Sequence, residues 1–247
     1  AEFGFIVRNG TGGVIVGMVS MELTQTSTQT IRIDYSADGG NTWYGGVSSN
    51  LSLVVSAITY AIQDVIYDEV GKQLVMTIRR LDGATYTLLT YVSHDCGSVW
   101  IPLSSADIAD VRIAKMVTHF GRQVLLIIDG SNDMDAYGRA AATSTWDLLK
   151  GDIASGDPPS SSHLGVAKLP NGFIYVYTRP NSATHLIRYV ASSDGGFTWG
   201  RAEQARDEMP EARVCVGVRA VRVGGELGHR GGSSLRSVYV RKLSIRV

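Results

Sequence analysis

A chain of 247 residues with 23 Lys and Arg against 23 Asp and Glu carries no formal net charge, so it lacks the broad basic field of a general nucleic-acid binder. It is long enough for one large all-β domain over 1–247, and no apolar run reaches the length of a membrane-spanning helix. Cys96 and Cys215 share neither metal nor redox spacing and read as free thiols.

In chain order, residues 3–9 and 13–19 read as two strands around an Asn-Gly-Thr-Gly turn. Residues 30–35 then lead into Ser36-Ala37-Asp38-Gly39-Gly40-Asn41-Thr42-Trp43. The second unit has strands at 61–67, 73–79 and 86–92, with a turn at Leu81-Asp82-Gly83-Ala84. It ends in Ser93-His94-Asp95-Cys96-Gly97-Ser98-Val99-Trp100. A third unit takes 111–117, a His-Phe-Gly-Arg turn, 124–129 and the polar hairpin 130–133 before reaching Trp146. The stretch 151–162, rich in Gly, Pro, Ser and Asp, reads as a loop between units. Strands at 164–169, 173–178 and 185–191 build the fourth unit, which ends in Ser192-Ser193-Asp194-Gly195-Gly196-Phe197-Thr198-Trp199. Beyond it, 213–223 and 237–247 are strand-like and flank a Gly-rich segment at 224–234.

Three of these units end in S-x-D-x-G-x-x-W: Ser36, Asp38, Gly40 and Trp43; Ser93, Asp95, Gly97 and Trp100; Ser192, Asp194, Gly196 and Trp199. The chemistry of that spacing is a self-anchored hairpin turn. Asp and Ser oxygens accept from backbone N–H groups just ahead, Gly supplies a positive φ, and the Trp folds under the turn and buries a large ring. Trp146 falls in step with the others, but Arg139, Ala141 and Thr143 replace its Ser, Asp and Gly, so it marks a degenerate repeat. By subtraction the four Trp residues lie 57, 46 and 53 apart, the length of a four-stranded repeat.

The motif resembles the Asp-box, or BNR repeat, of sialidase-like β-propellers. The resemblance implies an all-β propeller with the boxes as structural staples at the periphery of each blade. Five blades are expected, the last one incomplete or completed by the N-terminal strands or by a partner. It also raises the question of glycoside hydrolysis, because sialidases use a Tyr nucleophile and grip the substrate carboxylate with three Arg residues, the first in an Arg-Ile-Pro step. Here Arg8 and Arg112 lack the Ile-Pro, and Tyr239 has no Glu partner placed by sequence, since Glu226 sits in the Gly-rich segment.

Weaker signals complete the reading. Asp129, Asp133 and Asp135 alternate as calcium ligands do, but the loop lacks the Gly and Glu of a calcium loop and reads as a solvated hairpin. The five His residues share no metal spacing, and no cofactor is expected. From residue 201 onward ten Lys and Arg stand against five Asp and Glu. Arg213, Arg219, Arg222, Arg236 and Arg241 in that segment are the candidate contacts to other protein subunits. The expectation is a non-catalytic structural or interaction module in a virion, such as a phage tail, or in an extracellular assembly. The alternatives are a sialidase-like glycoside hydrolase or a glycan-binding, lectin-like propeller.

Overall fold

The computed structural model describes residues 2–8, 14–25, 28–55, 57–153, 159–169, 171–180, 188–200 and 203–204. The chain divides into two units at 204/205, and the described residues all belong to the first. The strand-like runs expected at 213–223 and 237–247, and with them the fifth blade, lie outside the described residues.

Four antiparallel meanders follow one another along the chain. Sheet 1 holds β1 (Glu2–Arg8), β2 (Val14–Gln25), β3 (Thr28–Ser36) and β4 (Tyr44–Val54). Sheet 2 holds β5 (Ile58–Asp68), β6 (Gln73–Asp82) and β7 (Thr85–Ser93). Its outer position is shared by two short strands, β8 (Ile101–Pro102) and β9 (Ile108–Ala109), that both pair with β7. In sheet 3 the strands are β10 (Val111–His119), β11 (Arg122–Asp129), β12 (Met134–Ala140) and β13 (Asp147–Lys150). Sheet 4 is β14 (Pro159–Lys168), β15 (Ile174–Pro180), β16 (Arg188–Ser192) and β17 (Glu203–Gln204).

The first strands lie against one another in sequence, β1 on β5, β5 on β10 and β10 on β14, so they form the inner layer. Four meanders packed face to face with their first strands innermost make a β-propeller. In every meander the 1–2 and 3–4 turns therefore lie at one end and the 2–3 turn at the other. The S-x-D-x-G-x-x-W stretches are the 3–4 turns, which places them at the end shared with the 1–2 hairpins.

Three cores fill the gaps between adjacent sheets. Phe5, Val19, Ile31 and Ile33 of sheet 1 meet Ile62, Leu74, Met76 and Trp100 of sheet 2. Val75 and Leu88 meet Met116, Leu125 and Trp146 across the next gap. Val124, Leu126 and Ile128 then meet Leu164, Ile174 and Val176. The second strands of sheets 2 and 3 are buried on both faces, which is why 124–128 reads as an unbroken apolar run and 74–78 as one broken only by the buried Thr77, instead of alternating.

Two sequence expectations are corrected by the pairing. The turn in sheet 2 is narrower than 81–84, because Asp82 pairs with Thr85 and leaves Gly83 and Ala84 as a two-residue tip. The loop expected over 151–162 ends early, since β14 begins at Pro159. A register break between Pro159 and Leu164 accommodates the proline, which has no N–H to give a ladder.

Candidate functional site

Each 3–4 turn closes on itself by local hydrogen bonds. In the first, Ser36 Oγ donates to Asp38 Oδ1 at 2.7 Å and accepts from Gly40 N at 2.7 Å. Asp38 also takes the N–H groups of Asn41 and Thr42 and the Thr42 hydroxyl. Trp43 Nε1 donates to Gly40 O at 3.1 Å. The fourth turn repeats this with Ser192, Asp194, Gly196 and Thr198, and Trp199 Nε1 reaches Gly196 O at 2.9 Å. In the second turn, Ser93 and Asp95 hold Gly97 N and Val99 N. There Trp100 lies deeper, its backbone N–H held by Asn50 Oδ1 of sheet 1 at 2.8 Å. Gly40, Gly97 and Gly196 all have φ between 94° and 100°, the left-handed region for which the Gly is needed.

The carboxylates of these turns are tuned by the same bonds. The Thr42 hydroxyl and N–H hold Asp38 far below the usual carboxylate range. The Val99 N–H lowers Asp95. Desolvation pushes Asp194 up, but the Thr198 hydroxyl, the Thr198 and Phe197 N–H groups and Ser192 outweigh it and bring its pKa to about 2.

Sequence reasoning places each Trp behind its own hairpin inside its blade, and the structure adds the preceding sheet. Trp100 belongs to the core shared with sheet 1, and Trp199 packs on the core shared with sheet 3. Trp146 Nε1 crosses to Thr90 Oγ1 on β7 at 3.0 Å. The Trp100, Trp146 and Trp199 indoles are wedges between blades.

In the degenerate third turn, Arg139 takes the serine position and is 2% exposed. Its Nε and Nη2 donate to Gln123 Oε1 at 2.9 and 2.5 Å, and Nη1 donates to Thr143 O at 2.7 Å. Gln123 Nε2 passes the chain on to Asp68 Oδ2 of sheet 2 at 2.8 Å. The guanidinium also lies 5.5 Å from the Trp146 ring centroid. No local pattern in the sequence signals this network, because its members are 16 and 55 residues apart.

On the inner layer, a bulge at Ile62/Asp64 turns two side chains of β5 onto the open edge of β10. Met116 N donates to Asp64 Oδ2 at 2.7 Å, and Ala114 N donates to Gln63 Oε1 at 3.3 Å. Lys115 Nζ donates to Gln63 O at 2.9 Å and lies 4.9 Å from the Phe3 centroid on β1. Burial pushes the Asp64 carboxyl up, opposed by Lys115 and the Met116 N–H. These polar groups satisfy an inner strand edge that would otherwise present unpaired N–H groups.

At the end away from the 3–4 turns, the structure assembles a cluster that sequence reasoning does not find. The guanidinium of Arg79 (β6) lies 5.0 Å and that of Arg112 (β10) 4.2 Å from the ring centroid of Tyr86 (β7). Arg79 also donates to Arg112 O, joining sheets 2 and 3. Arg112 is only loosely balanced by Asp110, at 3.7 Å. All three residues are partly exposed, and Arg80 follows on the other face of β6, bonded to Asp82 at 2.5 Å. Two guanidiniums on one ring at a strand end put N–H donors of positive charge where an anion could reach them.

The remaining candidates separate. Arg213, Arg219, Arg222, Arg236, Arg241, Tyr239, Glu226 and Cys215 lie outside the described residues, and nothing is described of the Arg8 side chain. Cys96 is an exposed free thiol. Asp129 Oδ1 accepts from Ser131 N and Asp133 N, both at 2.9 Å, so that carboxylate serves its own hairpin. Asp135 is raised by burial, against the pull of the Asp152 N–H and with the neighbouring carboxylates adding to the rise. Among the described residues no group of three or more His, Cys, Asp or Glu is placed to hold a metal ion, and no helix is long and apolar enough to cross a membrane.

No protein-family model matches the chain. No curated protein matches it either. Solved structures do. The NanB sialidase of Streptococcus pneumoniae superposes with TM-score 0.55 at 10% identity, over 82% of this chain and 51% of that one. The Trypanosoma rangeli sialidase in complex with sialic acid gives 0.52 at 12% identity, over 80% and 38%. The Penicillium chrysogenum α-L-arabinanase complexed with arabinobiose gives 0.53 at 14% identity, over 82% and 65%. The fold is that of the sialidase-like propellers. The chain spans about half the length of NanB and less of the trypanosomal enzyme.

Proposed function

We propose that this chain is a glycan-recognising propeller whose ligand carries an acidic group, bound at Arg79, Arg112 and Tyr86. The observation that supports it is the pair of guanidiniums on the Tyr86 ring at the end of sheets 2 and 3. A carboxylate can take paired N–H donors from Arg, and the Tyr86 ring under the two guanidiniums holds them side by side. The distant likeness to propeller glycosidases favours a glycan over the virion-assembly reading. These three residues bind and orient an anion.

The test is a titration of the purified chain with a sialoside and with its asialo counterpart, followed by ligand-observed NMR. The acidic glycan is expected to bind and the neutral one to bind at least tenfold more weakly. Arg112→Ala should remove the difference. Equal affinity for the two glycans, or a preference that survives Arg112→Ala, refutes the assignment. A fluorogenic sialoside should show no turnover above a boiled control; turnover lost in Arg112→Ala would make the site catalytic instead.

A further inference from the structure

The opposite end of the propeller carries a feature that the fold does not require. β10 and β11 are joined by a two-residue tip, Phe120-Gly121, with His119 paired to Arg122. Both tip residues have positive φ, 43° and 78°, the geometry of a type I′ hairpin turn. That geometry favours Asn, Asp or Gly at the first position, and a bulky ring there is strained. Burial does not offset the strain, because Phe120 is 84% exposed. Among the described residues its ring lies against the edge of His119, 4.5 Å between centroids, and near Gly172, where an added Cβ would lie 3.2 Å away. A strained, exposed aromatic of this kind is a reason to look for a functional role.

The neighbours extend the knob into a strip. Val70, at the tip of the sheet 2 hairpin, is 67% exposed and lies against the Gly121 position, 3.5 Å from an added Cβ. Phe197 in the fourth 3–4 turn is 48% exposed, with the Arg122 guanidinium 4.6 Å from its centroid. Single exposed apolar residues need no explanation, but a run of them across three successive blades marks a contact surface. Its charged neighbours are three cations against two carboxylates: Lys72, two residues from Val70, Lys168 on the hairpin that carries Gly172, and Arg122 over Phe197, with Glu69 and Asp194. Asp194 turns its oxygens into its own turn.

We propose that Phe120, Val70 and Phe197 dock a protein partner that offers an apolar socket rimmed by carboxylates, with Lys72, Arg122 and Lys168 facing that rim. Phe120 acts as the anchor: a rigid aromatic presented on a tight turn loses little freedom on binding. The cations set partner choice and the rate of encounter. This surface lies at the end away from Arg79 and Arg112, so it is independent of the glycan site.

A displayed peptide library panned on the immobilised chain, with counter-selection on Phe120→Asn, tests the proposal. Peptides with acidic residues next to aliphatic or aromatic ones should be recovered. As synthetic peptides they should bind wild type at least tenfold tighter than Phe120→Asn, weaken severalfold with Lys72→Glu, and ignore Arg112→Ala. The melting temperature of Phe120→Asn should equal or exceed that of wild type, because Asn suits the turn. Three results overturn the proposal. One is a lower melting temperature for Phe120→Asn, which makes Phe120 a folding residue. Another is a library that yields no Phe120-dependent acidic peptide. The third is self-association of wild type, seen by light scattering and lost in Phe120→Asn, which gives the strip to a second copy of this chain.

Discussion

The turn ending at Trp146 and the turns ending at Trp43, Trp100 and Trp199 solve one problem by two kinds of chemistry. In the three repeats, a Ser and an exposed Asp take N–H groups no more than four residues ahead. The third turn instead buries a guanidinium, which is charge-balanced by Asp68 of the preceding sheet and bonded through Gln123. The feature that the third turn retains is the indole, which at Trp100, Trp146 and Trp199 lies between blades. A wedge of that size buries more apolar surface than any other single residue in its turn, whereas its polar support needs only matched donors and acceptors.

Breaking the wedge should have the largest effect. Trp100→Ala and Trp146→Ala remove rings that are 2% and 8% exposed and should each cost about 3–5 kcal/mol in denaturant melts. Trp199, partly exposed, should cost less, roughly 2–3 kcal/mol. Equal losses at all three positions would mean that burial between blades does not set the scale.

Next comes the buried support of the third turn. Arg139→Met keeps the length of the side chain but leaves Gln123 Oε1, Thr143 O and Asp68 without their donor or counter-charge, which should cost about 2–4 kcal/mol. Asp194→Ala, in the exposed version, should cost only about 1 kcal/mol. The comparison is sharpened by rebuilding a repeat: the triple change Arg139→Ser, Ala141→Asp, Thr143→Gly should recover about 1 kcal/mol relative to Arg139→Ser alone. No recovery would show that the local turn chemistry cannot operate in that blade.

Acid supplies the smallest and most diagnostic contrast. Asp38, Asp95 and Asp194 have folded pKa values below the unfolded one, so their contribution is complete above pH 4 and is lost as pH falls toward about 2. Asp64 has the opposite sign. Its raised pKa penalises the ionised form, and protonation on acidification relieves the penalty. Melts between pH 7 and pH 2.5 should therefore decline less steeply in Asp38→Asn/Asp194→Asn than in wild type, and more steeply in Asp64→Asn. An unchanged slope in the first variant would remove the carboxylates from the acid response.

The sequence alone determined the repeat, the register of the four Trp residues and the strands that precede each one. Those features are set by neighbours within about eight residues, where hydrogen-bond reach and side-chain alternation act directly on the chain. It did not disclose the outer strands of two to four residues at 101–102, 147–150 and 203–204, which are too short to carry a period. Nor did it disclose the Arg139–Gln123–Asp68 chain, the Asp64 and Gln63 caps on β10, or the meeting of Arg79, Arg112 and Tyr86. Each of those joins residues from different strands or blades, and only the packing of one sheet on the next decides which polar groups meet. Even Phe120, plain in the sequence as part of a turn, became informative only through its φ and its exposure, because those two quantities belong to the folded chain.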